Sequence, residues 1–169
     1  MFLPCKLLIE KLSALHTVES FDCGLIALNK YLNTHALKNQ LANSSTTYVA
    51  CKEDKTVIGY YSLVVGSVIH ADSPKRITKG LAKHPIPVML LARLAIDVEW
   101  QSQGIGKGLL KDALLRTLQA ADIAGIRALL VHAKDEEAKN WYRQFDFESS
   151  PTDPLHLFLL LKDIKKACN

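Results

Sequence analysis

Apolar positions along this chain change period several times, and each change predicts an element. Residues 88–98 are an apolar run, VMLLARLAIDV, that reads as a strand. A polar elbow follows, and beyond it Leu110, Ala113 or Leu114, and Leu118 recur at the spacing of a helix. Upstream, residues 6–12 mix apolar and charged side chains as an edge strand does. Phe21, Asp22, Cys23 and Gly24 read as a helix entry with Asp22 as its cap. Leu25, Leu28, Tyr31 and Leu32 line one face of that helix, Ala36, Leu37 and Leu41 continue a second, and Asn43, Ser44 and Ser45 end it. Residues 46–52 and 57–68, rich in Val, Tyr, Thr and Ile and joined by the polar turn 53–55, predict a hairpin. Downstream, 128–132 is a short apolar strand. Asp135 caps a helix that runs to about Gln144, with Glu136 and Glu137 in its first turn where the dipole favours them. Residues 155–161 form a last strand and 162–166 a polar tail. Strands and helices in this mixed order place the chain in the α/β (α+β) class, a mixed central sheet flanked by helices.

Composition narrows the picture. At 169 residues the chain suits a single domain, 1–169, better than two. A hydrophobic content of 49% with 22% charged residues excludes a disordered chain. The net charge of +4 is compatible with nucleic-acid binding without requiring it. Some of that charge collects in residues 70–87, where Pro74, Pro85 and Pro87 interrupt regular structure and Lys75, Arg76, Lys79, Lys83 and His84 crowd together. This is either a solvated loop or a basic lip able to hold a polyanion. Cys5, Cys23, Cys51 and Cys168 form no CxxC pair and have no histidine at zinc spacing, so they read as reduced thiols, with no metal and a cytoplasmic setting. The first residues lack a charged segment followed by an apolar one, and no run reaches membrane-spanning length, so no membrane association is expected.

The elbow carries the chemistry. Gln101, Ser102, Gln103, Gly104, Ile105 and Gly106 lie between the apolar strand and the helix, with Lys107, Gly108 and Leu109 next. A helix start presents backbone N–H groups that no helical carbonyl can use, and its dipole favours an anion. Glycines there let a ligand approach the backbone closely. The spacing fits neither GxGxxG nor GxxxxGK[ST], which argues against dinucleotide and nucleoside-triphosphate loops. A pyrophosphate is the expected guest.

The order Q-x-x-G-x-G, on Gln101, Gly104 and Gly106, resembles the coenzyme A loop of the GNAT acetyltransferases. Residues 135–147 resemble a second stretch of that family, in which Ala138, Tyr142 and Phe147 match. Asp135 stands where many members have Asn, and Asp146, a residue tolerant of left-handed geometry, stands where most have Gly. Further stretches are similar to the acetyltransferase toxins of bacterial toxin–antitoxin pairs: FDCG at 21–24, Leu28-Asn29, HAL at 35–37, GYY at 59–61, VGSV at 65–68, ARLAID at 92–97 and SPTDPL at 150–155. That similarity runs from about residue 21 to residue 163.

The resemblance implies a GNAT acyl-CoA N-acyltransferase fold and a toxin that moves acetyl from acetyl-CoA onto the α-amine of the amino acid on a charged tRNA, blocking translation. It also implies a ribbon-helix-helix antitoxin, operator DNA bound only through that antitoxin, and a homodimer. In this frame the backbone amides of residues 103–109 neutralise the coenzyme pyrophosphate, with Lys107 either adding charge or simply solvated. Leu94, Ala95 and Ile96 flank the thioester, the Ile96 N–H polarising its carbonyl. Tyr142 is the general acid for the leaving thiolate; read without the resemblance, it is a half-buried packing residue. Arg93 either pairs with Asp97 or faces the acceptor and touches RNA phosphate. His132 reads as structural. Lys30, Lys38, Lys75, Arg76, Lys79 and Lys83 are the candidate tRNA contacts.

Two other readings compete. An ordinary GNAT enzyme acting on a small amine or a protein amine shares the elbow and Tyr142 but has no use for a basic loop. A non-enzymatic acetyl-CoA-binding partner protein has no need of Tyr142.

Overall fold

The structure is a computed structural model that describes residues 7–168. Its seven strands are β1 (Leu8–Lys11), β2 (Thr46–Cys51), β3 (Val57–Val68), β4 (Ile86–Ile96), β5 (Ala128–His132), β6 (Glu148–Ser149) and β7 (His156–Leu160). Its α-helices are α1 (Ile26–Lys30), α2 (Ala36–Leu41), α3 (Lys75–Thr78), α4 (Ile105–Ala121), α5 (Glu136–Arg143) and α6 (Leu161–Cys168). The strands follow the order β1-β2-β3-β4-β5-β7-β6 in one mixed sheet, with β4 and β5 parallel. The expected class and sheet therefore hold. The described residues divide into two compact units, one within residues 7–64 and 93–113 and the other within residues 65–92 and 114–168.

In the first unit β1 pairs antiparallel with β2, and β2 with β3, so the predicted hairpin forms and β1 is the edge strand. Lys6 and Cys5 lie outside the described residues. The hairpin turn closes with Lys55 in left-handed geometry (φ 70°), its N–H bonded to the Lys52 carbonyl. Residues 57–63 are all buried, as a strand covered on both faces must be. The core joins Leu12, Phe21, Tyr31, Leu32, Ala36, Val49, Val57, Tyr60 and Ala95. Phe21 meets Tyr60 edge-on at 5.5 Å, a contact contributing about 1 kcal/mol beyond its buried area.

Three expectations about the early helix are corrected. Asp22 is not its cap: α1 starts at Ile26, and Leu25 stands at the cap position without a side-chain bond. Gly24, at φ 89°, turns the chain first, and the Asp22 carboxylate accepts instead from the Gly24 N–H and the Asn29 amide, both at 2.9 Å. Leu25 and Leu41 do not line a buried face; they are 40% and 75% exposed. The helix is also not one α-helix, because a π-helical turn, Tyr31–His35, separates α1 from α2. That wider turn lets Tyr31, Leu32 and Ala36 all reach the core.

A polar hub pins β1 to the hairpin. Glu10 accepts hydrogen bonds from Lys55 at 2.6 Å and His16 at 2.9 Å, and the Cys51 thiol approaches it at 3.4 Å. Lys55 first, then His16, lowers the Glu10 carboxyl from 4.5 to about 2. Burial and then Glu10 push the Cys51 thiol up to about 11, which keeps it protonated.

In the second unit β4 and β5 pair from Val88↔Ala128 to Leu91↔Val131, β7 runs antiparallel to β5, and β6 extends β7. Ile77, Ile86, Val88, Ala128, Leu130, Phe158 and Leu160 form its core. The basic stretch 70–87 is not wholly irregular, since it contains α3 with Ile77 buried. The last strand is shorter than expected. Residues 162–166 are not a polar tail but part of α6, anchored by Ile164, which has no exposed surface.

Candidate active site

The apolar run predicted as 88–98 is β4, Ile86–Ile96, and it ends two residues early because Asp97 starts a 3-10 turn, Val98–Trp100. Asp97 holds the end of that strand from three sides. Its N–H bonds to the Ile58 carbonyl at 2.8 Å, one carboxylate oxygen accepts from the Glu99 N–H at 3.0 Å, and the other accepts from the Asp22 N–H at 3.0 Å. The Val98 N–H returns a bond to the Asp22 carbonyl at 2.8 Å.

Gln101 then spans the elbow from within. Its amide donates to the Ile96 carbonyl at 3.0 Å and the Cys23 carbonyl at 3.3 Å, while Gln103 donates to the Glu99 carbonyl at 3.2 Å. Both glutamine side chains thus brace the loop. Ser102 (φ 62°) and Gly104 (φ 84°) supply two left-handed residues, and α4 begins at Ile105. Its first turn is seated by Ile105 and Leu109, 5% and 0% exposed. A Cβ on Gly59 would stand 2.9 Å from the Ile96 side chain and 3.0 Å from that of Leu109, so a glycine in β3 permits this seating.

The amides divide accordingly. The Gly108 N–H is taken by the Gly104 carbonyl at 3.1 Å, so the groups ahead of the first helical bond are those up to Lys107. Gly104 and Gly108 have open space where a Cβ would stand, and Lys107 is exposed. This elbow therefore fits a pyrophosphate through the backbone of residues 103–107, with Leu109 serving the core. On β4, Ala95 is buried and Leu94 and Ile96 are half-buried.

Arg93 does not pair with Asp97. Residues four apart in a strand share a face, but Asp97 lies beyond the strand end and its carboxylate serves backbone N–H groups. The Arg93 guanidinium lies 3.6 Å from the centre of the Tyr31 ring, a cation–π contact, and the Tyr31 hydroxyl meets Ser45 at 3.0 Å. Lys30 and Lys38 are exposed on α1 and α2 of the same unit.

In the second unit Asp135 caps α5 as expected, accepting the Ala138 N–H at 2.8 Å, and Asp146 is left-handed at φ 69°. Between them Tyr142 is 9% exposed, its ring edge-on to Trp141 at 5.0 Å and Phe147 at 5.4 Å. Among the described residues no buried side-chain oxygen lacks a partner, and no hydrogen bond is formed by the Tyr142 hydroxyl. The hydroxyl is therefore not wholly enclosed, although the residue as a whole is buried. Burial pushes its pKa well above the usual tyrosine value. His132 stacks on His156 at 3.9 Å, and burial followed by the nearby His156 lowers its pKa. Lys75, Lys79 and Lys83 are exposed, while Arg76 forks onto Asp163 at 2.8 and 3.1 Å. Asp22, Asp97 and the Tyr31 platform were not predicted as parts of the site; Asp22 and Asp97 lie 75 positions apart, beyond the reach of any local pattern.

A strand that passes through a left-handed turn into a helix N-terminus is how many α/β proteins present amides to a phosphate group, and that defines the class. The chain belongs to the acetyltransferase (GNAT) domain family, whose model it matches over residues 19–155. It is 47% identical over 156 residues to the tRNA-acetylating toxin of Mycobacterium tuberculosis (strain ATCC 25618 / H37Rv), covering 92% of this chain and 93% of that one. It is similar to the solved structure of AtaT complexed with acetyl-methionyl-tRNAfMet, with a TM-score of 0.90, 31% identity and 97% and 100% of the two chains covered. It is also similar to a tyrosine-to-phenylalanine mutant of the AtaT toxin bound to the C-terminus of the antitoxin AtaR and acetyl-CoA. That match has a TM-score of 0.82 and 30% identity, covering 95% and 97% of the chains. No described helix is long and apolar enough to cross a membrane.

Proposed function

We propose that this chain is a toxin N-acetyltransferase that transfers acetyl from acetyl-CoA to the α-amine of an aminoacyl-tRNA and so blocks translation. The observation that carries this reading is the 47% identity, over nearly the full length of both chains, to a tRNA-acetylating toxin.

Acetyl-CoA supplies an activated acetyl group on a thioester. The amides of residues 103–107 hold its pyrophosphate at the start of α4. Leu94, Ala95 and Ile96 would flank the acyl end, with the Ile96 N–H the donor to the carbonyl oxygen, where negative charge develops as the amine attacks. The amine nitrogen bonds to the carbonyl carbon, the carbon–sulfur bond breaks, the amine loses one proton and the departing sulfur gains one. An α-amine has a pKa near 8, so a substantial neutral fraction is present at neutral pH and positioning does most of the work. Tyr142 donates to the leaving sulfur. The phenol is protonated throughout the physiological range, as a donor must be, and burial makes it a weaker acid than a free tyrosine.

The tRNA is held by Lys30, Lys38, Lys75, Lys79, Lys83 and Arg93, with Arg76 contributing less because Asp163 already neutralises it. The enzyme acts in the cytoplasm as a homodimer and is silenced by a ribbon-helix-helix antitoxin, through which the pair reaches operator DNA. The test is transfer of labelled acetyl to total charged tRNA, with uncharged tRNA as control. Label on charged tRNA alone is expected; label on peptides or polyamines in its place would overturn the assignment.

A further inference from the structure

We infer that a hollow in the second unit, walled by Arg76, Lys79, Arg127, Lys162 and Lys165, is a phosphate-binding site that grips the backbone of the substrate tRNA. The cavity has a volume of about 550 Å³ and is lined as well by Ile126, Leu160 and Leu161. Among the described residues none that lines it is acidic. Even with neighbouring Asp163 set against them, the five cations carry as much positive charge as the +4 net of the whole chain. The low-dielectric aliphatic part of the lining focuses such a field.

The cations are of two kinds. Arg127 is fastened from behind, its guanidinium donating to the Ile77 carbonyl at 2.9 Å and the Lys79 carbonyl at 3.0 Å. Its backbone is tied as well, N–H to the Pro87 carbonyl and carbonyl to the Leu161 N–H. Arg76 is fixed by its fork on Asp163. Lys79, Lys162 and Lys165 are exposed and form no ion pair among the described residues. Guanidinium charge fixed in place beside long, exposed ammonium groups suits an anion whose charge is spread along a chain. RNA is the polyanion that the proposed reaction already brings to this protein, and the site rests on that reading. It adds Arg127 and the C-terminal helix α6 to the surface that holds tRNA.

The test is a triple variant, Lys79→Gln, Lys162→Gln and Lys165→Gln, beside an equal-charge control, Lys11→Gln, Lys52→Gln and Lys111→Gln. Circular dichroism checks folding, and Lys162→Gln alone serves if the triple variant does not fold. The triple variant is expected to raise KM for charged tRNA about tenfold and to make the dependence of log affinity on log salt shallower by about two to three. The control keeps both. Binding of uncharged tRNA is measured in parallel, so that the two readings fail separately. A wild type that binds tRNA through these lysines but acetylates none of it sinks the enzymatic reading and keeps the site. A triple variant with the wild-type salt slope overturns the site. An unchanged tRNA affinity with weakened neutralisation by the antitoxin also overturns it, giving the hollow to an acidic protein segment.

Discussion

The ring of Tyr142 packs edge-on against Trp141 and Phe147 while its hydroxyl bonds no described residue, so packing and the proposed chemistry draw on different atoms of one side chain. Replacing it with Phe keeps every ring contact and removes the donor. Tyr142→Phe is expected to retain acetyl-CoA binding and to lose roughly 10²- to 10⁴-fold in kcat, measured by labelled acetyl transfer to charged tRNA; turnover near wild type would remove the residue from the mechanism. Glu10 makes a different kind of prediction. Its carboxyl is lowered from 4.5 to about 2 by Lys55 and then His16, so its contribution to stability is present above pH 4.5 and is lost as pH falls toward 2. Lys55→Met removes the larger cause. Urea unfolding should show the variant less stable than wild type at pH 7, with the gap narrowing as pH falls from 4.5 toward 2. A gap independent of pH would mean that Lys55 acts through packing alone. The half-buried ring of Tyr142 was legible, since Trp141 and Phe147 are its near neighbours in sequence; the Glu10 hub was not, because Lys55, His16 and Cys51 come from separate strands and turns.

At the scale of elements, the strand–elbow–helix was visible because its parts are local: an apolar run, a polar break with glycines, then helical spacing. Its bracing was not. Asp22 looked like the cap of the next helix because it precedes an amphipathic stretch, but Gly24 turns the chain and frees Asp22 to bond Asn29 and the elbow. Gln101 matched a family position, and its side chain turns out to tie the elbow to the end of β4 and to Cys23. The left-handed Gly104 is the position in this loop that side chains tolerate least. Gly104→Val is expected to raise the Kd for acetyl-CoA at least tenfold by isothermal titration, with Gly104→Asn milder because Asn adopts that conformation more readily. Equal affinities for all three proteins would show that the pyrophosphate does not depend on this backbone geometry.

For the whole molecule, binding acts on stability by mass action. Acetyl-CoA at a hundredfold excess over its Kd should stabilise the folded chain by about 2.7 kcal/mol. In a protein of this size that is a rise in Tm of roughly 5–10 °C, read by thermal unfolding. Tyr142→Phe should keep that rise and Gly104→Val should reduce it, which separates loss of chemistry from loss of binding.

Local pattern in the sequence determined the strands and the helices after the elbow and after Asp135, the mixed α/β class, the anion-suited elbow, the Asp135 cap and the left-handed Asp146, since each follows from neighbours within a few residues. The quoted stretches were also enough to identify the family. Tertiary structure alone decided that Asp97 braces backbone rather than Arg93, that Arg93 rests on Tyr31, and that residues 162–166 belong to a helix seated by Ile164. It also decided that Arg76 meets Asp163, 87 positions away, beside a hollow of gathered cations. The physical reason is range: helical and strand periods record which face a residue takes, while the partner across that face is chosen by how distant segments pack.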